Sequence, residues 1–148
     1  CGFQLKGSDA ASSSAKLEGM TLQVISSQPR SELTREVSRA LSAKGLILLE
    51  EGDATLTLVL QPEQFTQRNV SLTAQARAAE LELTLFTDFT LNQPESDPIE
   101  ARATVIRQML NDPRNVVGKT EEMRLLREEM RRDLADQIAR RVSHSLGS

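Results

Sequence analysis

The sequence predicts an α+β fold in which two helices pack on one face of a mostly antiparallel sheet of four or five strands. Several short segments are apolar at every second position, which is the period of a strand. Two others are apolar at every third or fourth position, which is the period of a helix. The 148 residues suit a single domain, and the 39% of hydrophobic residues can supply its core.

The first half of the chain alternates between strands and one helix. Alternating apolar residues predict strands at 20–26 and 55–61, and the apolar run LILLE predicts a short buried strand at 46–50. Residues 31–45 have helical spacing, and Ser31 is placed to cap the first turn. The predicted order up to this point is therefore β-α-β-β.

The next part of the chain is predicted to be rich in strands. In the β region at 70–91, apolar residues occupy even positions up to Ala78 and odd positions from Leu81. Because a change of parity moves side chains to the opposite face of a strand, we expect a bulge or bend at Ala78–Glu80. A turn follows, and a further strand is predicted at 99–110.

A loop at 111–119 is predicted to lead into a long helix at 120–146. Thr120 can cap this helix, and the acidic Glu121 and Glu122 suit the positive end of its dipole. One apolar stripe at a spacing of three to four residues runs along it, formed by Met123, Leu126, Met130, Leu134, Ile138 and Val142.

The N-terminal segment, residues 1–18, is predicted to be separate from the single domain at 19–148. Its stretch GSDAASSSAK is small and polar, which is typical of a flexible tether. Cys1, the one cysteine of the sequence, cannot form an internal disulfide. It is a residue left by cloning, a free thiol, or the lipidated first residue of a lipoprotein. We expect the last, because a mature lipoprotein begins with its acylated cysteine and a tether-like segment follows Cys1 here.

Composition and residue inventory argue against nucleic-acid binding and catalysis. The net charge is −3 and there is no Trp or Tyr, so general attraction to nucleic acid and stacking platforms for it are both lacking. The one histidine, His144, falls in the last predicted helical turn, where it suits the dipole. Without a Gly-rich phosphate loop or a Cys/His pair, the sequence predicts a protein that is not an enzyme and has no metal or cofactor.

Two basic positions are candidates for binding anions locally. Lys119, with Arg114 nearby, precedes the predicted long helix, whose free N–H groups and dipole favour a phosphate or a lipid headgroup. Arg68 and Arg77 flank a strand that is rich in small residues, and guanidinium groups match phosphates well. An ordinary exposed lysine and a charged edge strand remain the alternatives for the two positions.

The opening residues CGFQLKG (1–7) resemble the start of the LptE family of lipopolysaccharide-assembly lipoproteins. The likeness extends over nearly the whole chain, through AAELELTL at 78–85 and through Lys119 ahead of an acidic helix start. It also includes a short family pattern that is matched here by Arg107, Asn111, Asp112 and Pro113.

This resemblance implies a non-catalytic protein that is lipid-anchored at Cys1 in the outer membrane, on the periplasmic side. Such a protein plugs the LptD β-barrel in a 1:1 complex, helps to assemble it, binds lipopolysaccharide and delivers it to the outer leaflet. Gly2, which is not Asp, agrees with sorting to the outer membrane. Lys119 aligns with a family lysine implicated in lipopolysaccharide binding. A second basic family position falls near Ala74, where Arg77 or Arg68 is the expected substitute.

Two other interpretations stay open at the level of the sequence. The chain could be a generic envelope scaffold that binds another protein without contacting lipopolysaccharide, and identification of its partners would separate the two cases. It could also be a periplasmic hydrolase, although the residue inventory speaks against an enzyme.

Overall fold

A computed structural model describes residues 19–72, 79–111 and 116–147. These residues form six strands and two helices. In chain order the elements are β1 (Thr21–Ser26), α1 (Glu32–Ala43), β2 (Ile47–Leu48), β3 (Leu56–Leu60), β4 (Gln64–Leu72), β5 (Ala79–Asn92), β6 (Ile99–Asn111) and α2 (Val116–Gly147). The predicted α+β class with two helices is therefore confirmed.

The sheet is mixed and has six strands among the described residues, so the prediction of four or five mostly antiparallel strands is wrong in both respects. Strand β1 pairs in parallel with both β2 and β3. Helix α1 carries the chain back after β1, and such a crossover brings the next strand in parallel to the first. Apolar periodicity shows where a strand lies but not the direction of its partner, which explains the error.

Strand β5 is the centre of the sheet. On one edge it pairs antiparallel with β3 through 89–92 and with β4 through 79–86, and on the other edge it pairs antiparallel with β6. Because β5 is long, the shorter strands β3 and β4 pair with different parts of the same edge. Strand β3 also pairs with β1, so it joins the parallel strands to the antiparallel ones in one sheet.

The bulge or bend predicted at Ala78–Glu80 falls at the edge of a gap in the described residues, because Ala78 lies outside them. The predicted β region at 70–91 is divided between two strands, β4 and β5, which pair antiparallel with Phe65 opposite Leu85 and Leu72 opposite Ala79. The chain therefore reverses direction between Leu72 and Ala79, and the change of parity accompanies this reversal. The pairing of the two strands is irregular between Asn69 and Ser71, opposite Leu81 and Glu80.

The last helix begins earlier than predicted. Val116 is already helical, and Thr120 Oγ1 donates a hydrogen bond to the carbonyl oxygen of Val116 at 3.1 Å. That bond spans one helical turn, so Thr120 lies inside the helix and the prediction that it caps the helix is wrong. Lys119 likewise lies within the helix instead of ahead of it.

The first helix starts as predicted. Ser31 has an extended backbone, and its hydroxyl oxygen accepts a hydrogen bond from the Thr34 N–H at 3.2 Å. At the other end, Gly45 has a φ of 98°, a left-handed conformation that glycine adopts without strain.

Both helices cover the same face of the sheet and share one hydrophobic core. From the sheet, this core includes Leu22, Leu56, Leu58, Leu83 and Leu85, and from the helices it includes Val37, Leu41, Met130, Leu134, Ile138 and Val142. Neither α1 nor α2 has a stretch long and apolar enough to cross a membrane.

Candidate anion-binding groove

A groove of about 620 Å³ lies on the helical side of the molecule, where the first half of α2 meets the start of α1 and strand β4. Four cationic side chains of α2 line it at successive turns: Lys119, Arg124, Arg127 and Arg131. Glu32 from α1 and Phe65 from β4 complete the opposite side. Arg124, Arg127 and Arg131 are three or four residues apart and therefore lie on one helical face. Lys119 extends the groove toward the start of α2.

The inner end of the groove is fixed by ion pairs around Glu63. Arg127 Nη2 lies 2.9 Å from Glu63 Oε2, and Arg131 Nε lies 2.7 Å from Glu63 Oε1. Arg131 also reaches Glu32 of α1, at 2.6 Å. The Glu63 side chain is only 13% exposed, so these contacts join the β3–β4 connection to both helices away from most of the solvent.

Opposing effects set the pKa of Glu63. Burial acts to raise this pKa, but hydrogen bonds from Arg131 and Arg127, together with their positive charges, outweigh it and hold the pKa below its usual value. The carboxylate is therefore ionised at neutral pH and keeps both guanidinium groups in place.

Arg127 also stacks on an aromatic ring. Its guanidinium carbon lies 4.6 Å from the centre of the Phe65 ring, a distance suited to a cation–π contact. Phe65 packs against the core, and Met123 of α2 does so as well. The floor of the groove is therefore apolar while its rim is cationic.

The cations of the rim differ in whether acidic side chains already form ion pairs with them. Arg124 contacts Glu121 at 2.6 Å and Glu128 at 2.8 Å, both at exposed positions. By contrast, in the part of the chain that the structure describes, no carboxylate forms an ion pair with Lys119. The half-buried Lys119 thus offers a charge that no described acidic group neutralises.

The predicted basic residues Lys119 and Arg68 lie in different parts of the structure. Lys119 lines the groove, whereas Arg68 pairs with Glu82 across strands β4 and β5, with Arg68 Nε 2.9 Å from Glu82 Oε1. Phe65 faces the helices, and Arg68, three residues further along the strand, points away from them. Lys119 and Arg68 therefore do not form one patch. The predicted sites Cys1, Arg77 and Arg114 lie outside the described residues.

Sequence reasoning missed the residues that shape the groove. Arg127 and Arg131 of α2 pair with Glu63, which is 64 and 68 residues away in the sequence. No local pattern marks Glu63 as their partner. Within the described ranges, no three His, Cys, Asp or Glu side chains are grouped so that they could hold a metal ion.

The sequence model of the lipopolysaccharide-assembly family LptE matches residues 19–142, which is almost the entire described domain. The chain belongs to the LptE family. The family resemblance noted from the sequence is thereby confirmed.

Relatives support this assignment over the full length of the chain. An LPS-assembly lipoprotein LptE of Photorhabdus laumondii is 29% identical over 143 residues, covering 96% of this chain and 76% of the relative. A protein of the same name from Pectobacterium atrosepticum is 28% identical over 151 residues, covering 100% of this chain and 79% of the relative.

Two solved structures of lipoproteins share the fold. The rare lipoprotein B of Shewanella oneidensis superposes with a TM-score of 0.77 at 29% identity, covering 84% of this chain and 95% of that structure. A minor lipoprotein of Acinetobacter baumannii has the same fold, with a TM-score of 0.66 at 19% identity, over 84% of this chain and 93% of that structure.

Proposed function

We propose that this chain is a non-catalytic outer-membrane lipoprotein that plugs and helps to assemble the LptD β-barrel and binds lipopolysaccharide for delivery to the outer leaflet. Membership of the LptE family supports the assembly role. The amphipathic groove on α2 supports the binding of an anionic lipid, because it joins a cationic rim to an apolar floor.

Lys119 carries the binding part of the proposal. Among the four cations of the groove it is the one that no described carboxylate pairs with, so a ligand phosphate gains its charge without displacing a partner. Arg124 is the next to be recruited, because its ion pairs are exposed and hence weak. Arg127 and Arg131 serve as a fixed wall through Glu63.

The remaining predicted residues take secondary roles in this proposal. Arg68 lies on the other face of the sheet and would contact a different part of the ligand, or the barrel. Arg77 and Arg114 are proposed as further phosphate contacts, on sequence grounds alone. Contacts of this kind must stay weak, because a carrier has to release its cargo.

The anchor is proposed to be lipid on Cys1, which holds the domain at the periplasmic side of the outer membrane. This part rests on the motif CGFQLKG and on the lipoprotein names of the relatives. Anchoring raises the local concentration of the domain near the barrel, which favours a 1:1 complex without a new contact.

The test is affinity co-purification of the tagged chain from outer membranes, with detection of an LptD-type barrel and of lipopolysaccharide. We expect the unmodified chain to recover both. Lys119→Glu should recover the barrel as before and clearly less lipopolysaccharide, whereas Lys119→Arg, which keeps the charge, should retain most of the lipopolysaccharide.

Lys44→Glu is the matched control. It makes the same charge reversal at an exposed lysine that caps the end of α1 and lies outside the groove. Equal loss of lipopolysaccharide in Lys44→Glu and Lys119→Glu would contradict a specific role for the groove. Absence of the barrel from the unmodified sample would contradict the plug and favour a generic envelope scaffold.

A further inference from the structure

A second cationic pocket, of about 270 Å³, lies near the C-terminal end of α2. Arg140, Arg141 and His144 line it from the helix, and Phe89 lies on the sheet side. Along α2 about 33 Å separate Lys119 from Arg141, and about 14 Å separate Arg131, the groove cation nearest to the pocket, from Arg140. Lys119 and the cations of the pocket therefore cannot hold the same phosphate group.

The three polar residues at the C-terminal end of α2 in this pocket form no ion pair with a described carboxylate. Arg140, Arg141 and His144 are all exposed, and across the described ranges no carboxylate pairs with any of them. No acidic side chain lines the pocket. Arg102, at its rim, is already held by Asp88 through contacts of 2.7 and 3.1 Å. The pocket thus differs from the groove, where Glu63 and Glu32 occupy most of the guanidinium groups.

The pocket residues that belong to α2 are spaced so that their side chains can contact one ligand together. Positions 137, 140, 141 and 144 follow the i, i+3, i+4, i+7 pattern and so lie on one helical face. Two neighbouring guanidinium forks suit the tetrahedral oxygens of a phosphate, and an imidazole offers an N–H donor in either protonation state. Phe89, Ala101 and Ala103 provide an apolar back wall.

A contact at the edge of strand β6 disfavours one class of ligand for this pocket. The side-chain amide of Gln137 accepts a hydrogen bond from the Thr104 N–H at 3.0 Å and donates one to the Thr104 carbonyl oxygen at 3.1 Å. It thereby occupies the backbone groups that an added strand would need at this point of the edge. An acidic peptide that pairs along β6 is disfavoured, and a compact anion is favoured.

We propose that Arg140, Arg141 and His144 form a second anion site, which takes a phosphate group that is either free or part of a lipid or sugar headgroup. Arg140 and Arg141 supply charge-assisted hydrogen bonds, His144 supplies a third donor, and the alanines of β6 allow close approach. The proposal does not depend on lipopolysaccharide binding at Lys119.

The test titrates the isotopically labelled full chain with inorganic phosphate and follows arginine and histidine side-chain signals by NMR. We expect saturable shifts at Arg140, Arg141 and His144. The variant Arg140→Gln/Arg141→Gln should weaken the apparent affinity about tenfold or more, because one charge-assisted hydrogen bond alone contributes about that factor. Flotation with phosphatidylcholine vesicles, with and without phosphatidic acid, tests for a lipid source of the phosphate.

Arg35→Gln/Arg132→Gln is the matched control, because it removes two exposed arginines that line a neighbouring surface rich in glutamates. Retained binding in this control supports the site, as does unchanged binding in Lys119→Glu. Flotation that requires phosphatidic acid and is lost in Arg140→Gln/Arg141→Gln identifies a lipid source, whereas saturable phosphate shifts without such flotation identify a free or soluble phosphate. Neither response, or equal weakening in both double variants, overturns the proposal.

Discussion

At the scale of single residues, the ability of the groove on α2 to bind an anion depends on which of its cations are already paired with acidic groups. Glu63 binds two arginines at once and is mostly shielded from solvent, so its contacts are stronger than those of an exposed pair. Lys119 has no such partner among the described residues. The ion pairs of Glu63 stabilise the fold, whereas Lys119 keeps its positive charge available for a ligand.

Glu63→Gln is expected to destabilise the domain by about 1–3 kcal/mol at about pH 7. The amide keeps the volume but leaves Arg127 and Arg131 without their shared carboxylate. Urea unfolding followed by circular dichroism measures the change. Glu121→Gln is the control, because it changes a carboxylate of an exposed pair with Arg124 and should leave the unfolding free energy nearly unchanged.

The effect of Glu63→Gln should also depend on pH. The pKa of Glu63 is lower in the folded state than its ordinary value, so the ionised carboxylate stabilises the fold above that ordinary value, and this contribution is lost as pH falls through the folded pKa. The difference in unfolding free energy between the unmodified chain and Glu63→Gln should therefore shrink from about pH 7 to about pH 3. A difference that stays constant over this range would contradict the role of the ionised pair.

Among the secondary-structure elements, the exposed edge of β6 is protected by a side chain of the helix above it. Gln137 presents an amide to Thr104 much as a neighbouring strand would present a peptide group. An unprotected strand edge is a surface on which other chains can pair. The contact also fixes the lateral position of α2 over the sheet, which places the groove and the second pocket along the helix.

Gln137→Ala should lower the free energy of unfolding by about 1–2 kcal/mol, because two hydrogen bonds are lost while water can reach the freed groups. Chemical denaturation of the variant and of the unmodified chain measures the change, and equal free energies of unfolding would contradict the role of the two hydrogen bonds.

Local patterns predicted the elements better than their arrangement. The Ser31 cap and the apolar stripe of α2 follow from neighbouring residues, and both are found. The reversal between β4 and β5 produces the same change of parity as a bulge, so the sequence pattern could not distinguish them. Lys119 was predicted for the site, whereas Phe65 and Glu63, which contact Arg127 of the groove, come from a distant segment that only the fold brings there.

At the scale of the whole molecule, both helices and strands β1, β3, β5 and β6 bury side chains in one continuous core, and β4 packs against it through Phe65. Helix α2 contributes six buried residues to this core and packs against α1, β5 and β6. No described element has a core of its own, so we expect the domain to unfold in one cooperative step.

Leu134→Ala tests this expectation, because Leu134 is fully buried where α2 meets the rest of the core. Loss of its side chain should lower the free energy of unfolding by about 2–5 kcal/mol. The control is Leu125→Ala, the same substitution on the same helix at a position that is 51% exposed, where we expect a change within about 0.5 kcal/mol. Circular dichroism and hydrogen exchange should report the same midpoint for α1, α2 and the sheet in both variants. Loss of protection in α2 alone would show that the helix unfolds independently, and would contradict a single cooperative core.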